Sequence, residues 1–298
     1  MSGRTPKRPG QGRGGRAAAG RRTTAPRSRG AGRTGKVRAT DETPKRRSDK
    51  GLGGEQVEGR QAVRELLLAQ RRKVHEVWIS ADLQDTDSVD DIVAIAGANR
   101  VPIAWVARKK LEAAARSEAP QGVLAHAAPL PEADLANYLR RRGDRPPFLV
   151  AVDGVTDPGN LGAIVRSCEG AGVDAVVVPR HRAVHVTPTV AKASAGAVEH
   201  LPIALVGGLP SALQRMRDAG IWVIGLDDAA DRSLFDIDEL AVEGVCMVLG
   251  AEGAGLSRLV RERCDMIVAI PMHGRLSSLN VSAAAALASY EISRHRRR

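Results

Sequence analysis

A chain of 298 residues suits two domains and a tail, and its formal charge of +11 lies almost wholly in residues 1–50, which hold 16 Lys/Arg against 3 Asp/Glu. The rest, with 29 basic and 31 acidic side chains, makes a nearly neutral body. Three cysteines without CxxC spacing, seven histidines without an HExxH cluster and no run of 18 apolar residues exclude a disulfide framework, the common zinc sites and a membrane span, and point to a reducing cytoplasm.

Residues 1–50 contain no Leu, Ile, Phe, Trp or Tyr, so burial cannot offset the entropy of ordering them. A disordered Arg-rich tail is expected over 1–52. Only 8 of the 45 basic residues of the chain are Lys, and guanidinium forks suit bidentate contact with RNA phosphates. A solubilising extension would have the same composition. From Gln56 the texture changes: Val63, Leu66 and Leu67, at i, i+3 and i+4, predict a helix over 57–68. A strand His75–Ser80, a helix Val89–Ala98, a strand Val101–Val106, a short helix Lys109–Arg116 and a strand Gly122–Ala127 follow. This alternation predicts a small α/β domain over 53–128. Residues 129–147, rich in Pro and charge, read as a linker with a helical piece at Ala133–Arg142 and a breaker at Gly143–Pro147.

Beyond it, apolar strands recur at Phe148–Val152, Ala175–Val178, Ile221–Leu226, Cys246–Leu249 and Met266–Ile270, with helices at Leu161–Ala171 and Pro210–Ala219. Continuous apolar strands alternating with helices imply a parallel sheet covered on both faces, with ligands at the carboxyl ends of the strands.

Three loops carry candidate chemistry. After the first of these strands, Asp153–Arg166 opens a helix whose buried face is Leu161, Ile164, Val165 and Cys168. Asn160 is a suitable N-cap, and Arg166 lies off the buried stripe, so both can address one cleft; taken alone, the loop reads more simply as a capping Asn beside a solvated Arg. After the strand Cys246–Leu249, Gly250, Gly253 and Gly255 allow tight backbone approach to a ligand around the carboxylate of Glu252. Last, Ile270–Ala286 leads from a strand through Ser277, Ser278, Asn280 and Ser282 into an Ala-rich helix that Ser278 or Asn280 could cap. None of these is a GxGxxG or Walker loop.

NxGAIxR after one strand, LGxEGxGL after a second and IPMxGxxxSLNVSxAxA at the end resemble, in order and spacing, the three motifs of the SpoU–TrmH branch of the SPOUT methyltransferases. The segment from Gly59-Arg60, with Val63 and Leu66, resembles the small RNA-binding domain that precedes the catalytic domain in the 23S rRNA guanosine 2′-O-methyltransferases. The resemblance implies an α/β catalytic domain over 148–298 whose C-terminal segment threads a loop to form a trefoil knot. It implies S-adenosyl-L-methionine as cofactor, held at Gly250, Ile270 and Leu279, with no metal. Asn160, Arg166, Glu252, Ser278 and Asn280 take the catalytic and substrate-side positions.

The reaction so implied moves a methyl group to a ribose 2′-hydroxyl of RNA, with a guanosine of 23S rRNA, or pre-50S particles, as substrate. A tRNA target, the thiopeptide-resistance rRNA site, and a non-catalytic RNA-binding assembly factor are the alternatives. Relatives pair as homodimers through the region matching Val281–Ile292, where Ala283, Ala284, Ala285, Ala286 and Ala288 allow close packing. Arg166 matches the residue cast as the base in relatives, but a guanidinium holds its proton too firmly to serve as a base and is better suited to fixing the 2′-oxygen and a phosphate.

Overall fold

The computed structural model describes residues 51–84, 86–141, 143–181 and 185–296. The expected disordered tail therefore lies outside the described residues up to position 50. Its last assigned residue belongs to the folded body: Leu52, the first Leu of the chain, is buried, and its carbonyl accepts the Val186 N–H at 2.9 Å.

The N-terminal part begins with β1 (Gln56–Glu58), α1 (Arg60–Ala69), β2 (Val74–Ser80), α2 (Asp90–Ala98), β3 (Ile103–Val106), α3 (Arg108–Ala114) and β4 (Val123–Ala127). Its sheet runs β1-β4-β2-β3, with only β2 and β3 parallel. Residues 57 and 58, expected in a helix, instead pair antiparallel with Ala125 and Leu124. Gly59, at φ 94°, makes a corner that other residues rarely adopt, so the helix starts one residue later. From there the expected periodicity holds, and Ala62, Val63, Leu66 and Leu67 form the buried face of α1.

The second part contains β5 (Phe148–Val152), α4 (Pro158–Ala171), β6 (Ala175–Pro179), α5 (Pro188–Ala193), β7 (Ile203–Val206), α6 (Leu209–Asp218), β8 (Trp222–Leu226), α7 (Asp238–Ala241), β9 (Val245–Leu249), α8 (Arg258–Arg261), β10 (Met266–Val268) and α9 (Val281–Arg296). Its six strands are all parallel, in the order β10-β8-β9-β5-β6-β7. β7, a four-residue edge strand, and α5 were not foreseen from the sequence. Alternate residues of β5 feed two cores: Phe148, Val150 and Val152 meet α4 and α9, while Leu149 and Ala151 meet α6 and α8. Because the strands are parallel, the loops leaving β5, β8, β9 and β10 gather at one rim.

The stretch expected as a linker packs onto the body. Leu130 and Leu135 are buried, and the Ala133 N–H donates to the Ile203 carbonyl at 2.9 Å. Its helical piece is only a turn of 3-10 helix, Leu135–Tyr138, capped by Asp134. The two sheets share one apolar core, in which Val57, Val63 and Leu66 join Phe148, Val176 and Val190.

A buried ion pair fastens that junction. Arg72 presents Nη2 and Nε to the two carboxylate oxygens of Glu199, at 2.5 and 3.0 Å, with 3% and 1% of the two side chains exposed. Arg72 also donates to the Gly54 and Ala128 carbonyls at 2.6 Å, and Arg71 to the Glu199 carbonyl at 2.9 Å. Removing one partner leaves a buried charge uncompensated, at a cost of about 3–5 kcal/mol. Arg72→Ala should therefore lower the unfolding free energy in urea by about 3 kcal/mol or more, whereas the double variant Arg72→Met, Glu199→Leu should recover much of that loss. A loss below about 1 kcal/mol for Arg72→Ala, the range of exposed pairs, would remove this ion pair as the fastening.

Candidate active site

At the rim, Pro158 occupies the first turn of α4, and the Asp157 carboxylate accepts the Asn160 N–H at 2.7 Å. Asp157, and not Asn160 as the sequence suggested, is thus the N-cap. A proline is best placed in a first turn, which moves the helix start upstream of Asn160. The Asn160 side chain is consequently released from capping. Asp153, just after β5, accepts the Ser257 N–H at 2.7 Å and ties this loop to the one after β9.

The loop after β9 turns back on itself. Ala251 and Gly255 exchange two backbone hydrogen bonds of 3.0 and 2.9 Å. A Cβ on Gly250 would lie 2.3 Å from the Gly255 carbonyl carbon, and Gly253 and Gly255 have φ of 74° and 64°. These glycines serve the closure of the loop itself more than the approach of a ligand. The fold-back carries Glu252 at its tip.

The third loop ends in Asn280, whose Oδ1 accepts from the Ser282 N–H at 2.8 Å and from Ser282 Oγ at 2.6 Å. Asn280 is the cap of α9. A backbone N–H can only donate, so the cap fixes which way the amide faces. Its NH2 is left to donate to Asn160 Oδ1 at 3.0 Å, and the Asn160 NH2 in turn donates to Glu252 Oε2 at 3.2 Å. One directed chain of hydrogen bonds, from α9 to a carboxylate, links the three loops.

Beside this chain lies a cleft of about 390 Å³, lined by Leu226, Leu249, Ile270, Met272 and Leu279 on its apolar parts and by the 250–255 backbone, Ser277, Ser278 and Asn280 on its polar ones. Its size and mixed lining suit a small organic ligand. Of the residues expected at the site, Gly250, Glu252, Ile270, Ser278, Leu279 and Asn280 line this cleft, and Asn160 is bonded to two of them. Arg166 is not among the lining residues. It stands exposed on α4, about 9 Å farther along the helix than Asn160 and about a third of a turn round it. Among the described residues no hydrogen bond or ion pair engages its guanidinium. Asp227 and Asp228, which also line the cleft, were not singled out from the sequence; their place after a strand of the parallel sheet was the available signal.

Nucleophilic cysteine chemistry finds no support here. Burial pushes the Cys168 and Cys264 thiols up to about 12 and raises Cys246 further. Among the described residues one group has metal-ligand composition, Asp238, Glu291 and His295. The Arg294 guanidinium already donates to Glu291 at 2.7 Å, holding its carboxyl below the ordinary range. The group also sits at the opposite end of α9 from the cleft, about 22 Å away by helix rise.

Residues 147–290 match the SpoU rRNA Methylase family, and residues 56–133 match the RNA 2′-O ribose methyltransferase substrate binding family. The chain is 36% identical over 245 residues to the 23S rRNA (guanosine-2′-O-)-methyltransferase RlmB of Pseudomonas putida, covering 81% of this chain and 97% of that one. It is 37% identical over 240 residues to YacO of Bacillus subtilis, whose name places it in the TrmH family of tRNA/rRNA methyltransferases, covering 80% of this chain and 94% of YacO. The SpoU methyltransferase AviRb of Streptomyces viridochromogenes, crystallised with AdoMet, has a similar fold, with a TM-score of 0.67 and 28% identity over 81% of this chain and 89% of that one.

Two substitutions at Asn280 separate capping from linkage. Asn280→Asp keeps an oxygen for the Ser282 N–H but puts an acceptor where the donor to Asn160 stood. Its thermal and urea stability should stay within about 0.5 kcal/mol of the parent, whereas Asn280→Ala should lose about 1 kcal/mol with the cap. Equal losses in the two variants would show that Asn280 is not the cap.

Proposed function

This chain belongs to the SpoU rRNA methylase family, and from that premise we propose that it transfers the methyl group of S-adenosyl-L-methionine to a ribose 2′-hydroxyl, on a guanosine of 23S rRNA. The observation that carries the proposal is the Asn280–Asn160–Glu252 chain at the mouth of the cleft. The RlmB name of a relative aligned over nearly its whole length favours 23S rRNA over the tRNA alternative. A non-catalytic assembly factor would have no need to keep Asn160, Glu252 and Asn280 linked beside a cleft that Ser278 also lines.

The cleft fits the cofactor. Ile270, Leu279 and their apolar neighbours would take the adenine, and the 250–255 backbone offers polar groups that need no side chain. When bound, S-adenosyl-L-methionine supplies a methyl group made electrophilic by its sulfonium. The protein must then hold the 2′-oxygen in line with that methyl group and lower the barrier to losing its proton. Glu252 and Asn280 fix the Asn160 amide, which with Ser278 orients the ribose. Arg166, without a hydrogen bond or ion pair among the described residues, takes a phosphate and stabilises the developing alkoxide; a phosphate oxygen or water accepts the proton.

Three finer readings accompany this one. The 56–133 region, which matches a substrate-binding family, holds the RNA, assisted by the basic residues of 1–50. The C-terminal segment is read as a trefoil knot: after β10 at the sheet edge the chain must cross back past β8 and β9 to place α9 against α4, while residue 269 is bonded to residues 232 and 234. A homodimer is read from α9. Ala285 and Ala288 are spent inside the chain, but Leu287 and Tyr290 form an exposed apolar stripe beside the exposed Phe235.

Transfer of labelled methyl from S-adenosyl-L-methionine to 23S rRNA tests the main reading. Arg166→Ala should cut turnover by 100-fold or more, on the order expected for a lost transition-state contact, with cofactor affinity near that of the parent. Deleting residues 1–50 should weaken RNA binding and flatten its salt dependence, yet leave turnover at saturating RNA. Survival of turnover in Arg166→Ala, or its loss on tail deletion, would undo this division of labour. In sedimentation the protein should run at about twice 31.6 kDa, and Leu287→Arg with Tyr290→Arg should return it to the monomer. A monomer at micromolar concentration without these changes would remove the dimer.

A further inference from the structure

The cleft carries more negative charge than the linkage of its loops employs. Asp227, Asp228 and Glu252 line it, and no Lys, Arg or His does. Two of these carboxylates are engaged. Asp227 receives the Arg261 guanidinium on one oxygen and the Ala229 N–H, at 3.0 Å, on the other. Glu252 receives the Asn160 amide. Asp228, in the loop that leaves β8, is exposed, and among the described residues its carboxylate has neither a hydrogen bond nor an ion pair.

We propose that Asp228 selects the cofactor by charge, favouring S-adenosyl-L-methionine over the demethylated product; this rests on the cofactor reading above. The methylated cofactor carries a sulfonium, an ammonium and a carboxylate, and so one net positive charge. In the transfer the methyl–sulfur bond breaks with its electron pair left on sulfur, a carbon–oxygen bond forms to the ribose, and the hydroxyl proton passes to a phosphate oxygen or water. The species remaining in the cleft is S-adenosylhomocysteine, which is neutral. An unpaired carboxylate at the rim attracts the first and is indifferent to the second. Chemistry itself thus removes the attraction, and the spent product yields its place to fresh cofactor.

Asp228 is exposed, so water screens it, and its effect should be roughly two- to fivefold in affinity. Because the interaction is coulombic, it should shrink as salt shortens the reach of exposed charges to about 3 Å at 1 M. A structural role for Asp228 would alter the affinity for both ligands alike.

Calorimetric titration of the full chain with S-adenosyl-L-methionine and, separately, with S-adenosylhomocysteine reads this without catalysis. Asp228→Asn should weaken binding of the methylated cofactor by roughly two- to fivefold at low salt, leave the product unchanged, and lose the difference at about 1 M salt. Asp228→Lys should extend the same trend, with the product bound in preference relative to the parent. Equal changes for both ligands, or no change for either, would overturn the proposal. A parent protein that bound neither ligand would instead overturn the cofactor reading on which it stands.

Discussion

The arrangement at the rim depends on one amide. Asn280 must present its oxygen to the first turn of α9, because the Ser282 N–H can only donate. Its NH2 is thereby aimed at Asn160, and the Asn160 NH2 at Glu252. Orientation is passed from a helix end to a carboxylate across residues separated by 120 and 92 positions in sequence. The helix cap, ordinarily a matter of stability, here sets the polarity of the site. Asp157 plays the supporting part, since by capping α4 it spares Asn160 for the chain.

The scaffold makes that contact possible. Strand order β8-β9-β5 brings the loops after all three strands to one rim, and β10 adds the fourth beside β8. Gly250 lets the loop after β9 fold back closely enough to project Glu252. Arg72 and Glu199 lock the small sheet to the large one through a buried pair and a shared core. Gly196 lies at the same junction, where a Cβ would come within 2.5 Å of the Glu65 Cβ. On the proposed reading, a substrate-binding region fixed in this way would present RNA to the cleft as one body with it, so orientation of the substrate would not be set anew at each encounter.

What the sequence made legible was whatever its own neighbours determine. The strands at Phe148–Val152 and Cys246–Leu249 are visible as continuous apolar runs, and α1 shows its buried face at helical spacing. β1 was read as helix because its identity comes from pairing with Leu124–His126, far along the chain. β7 is a four-residue edge strand, too short to show a pattern, and is defined by β6 beside it. Asn160 looked like a cap because its residue type suits one; Pro158 two positions earlier held the better clue. The glycines of 250–255 were read as allowing close approach of a ligand; in the fold Gly250 closely approaches the backbone of Gly255 in its own loop. Asp228 shows in the sequence only as an acidic residue after an apolar strand, and it is the fold that brings its loop to the cleft that Glu252 also lines. Arg166 remains the residue whose motif says more than its contacts, since the role proposed for it lies with a substrate outside the chain.

The central claim is that this rim methylates one ribose of ribosomal RNA. Mass-spectrometric mapping of ribose methylation in RNA from cells lacking the protein tests it most directly, with complementation by the parent and by Asn280→Asp, which keeps the helix cap and breaks the chain of amides. A single 23S rRNA guanosine should lose its 2′-O-methyl group, regain it with the parent and fail to regain it with the variant. An unchanged 23S rRNA alongside a lost tRNA methylation, or full restoration by Asn280→Asp, would contradict the account.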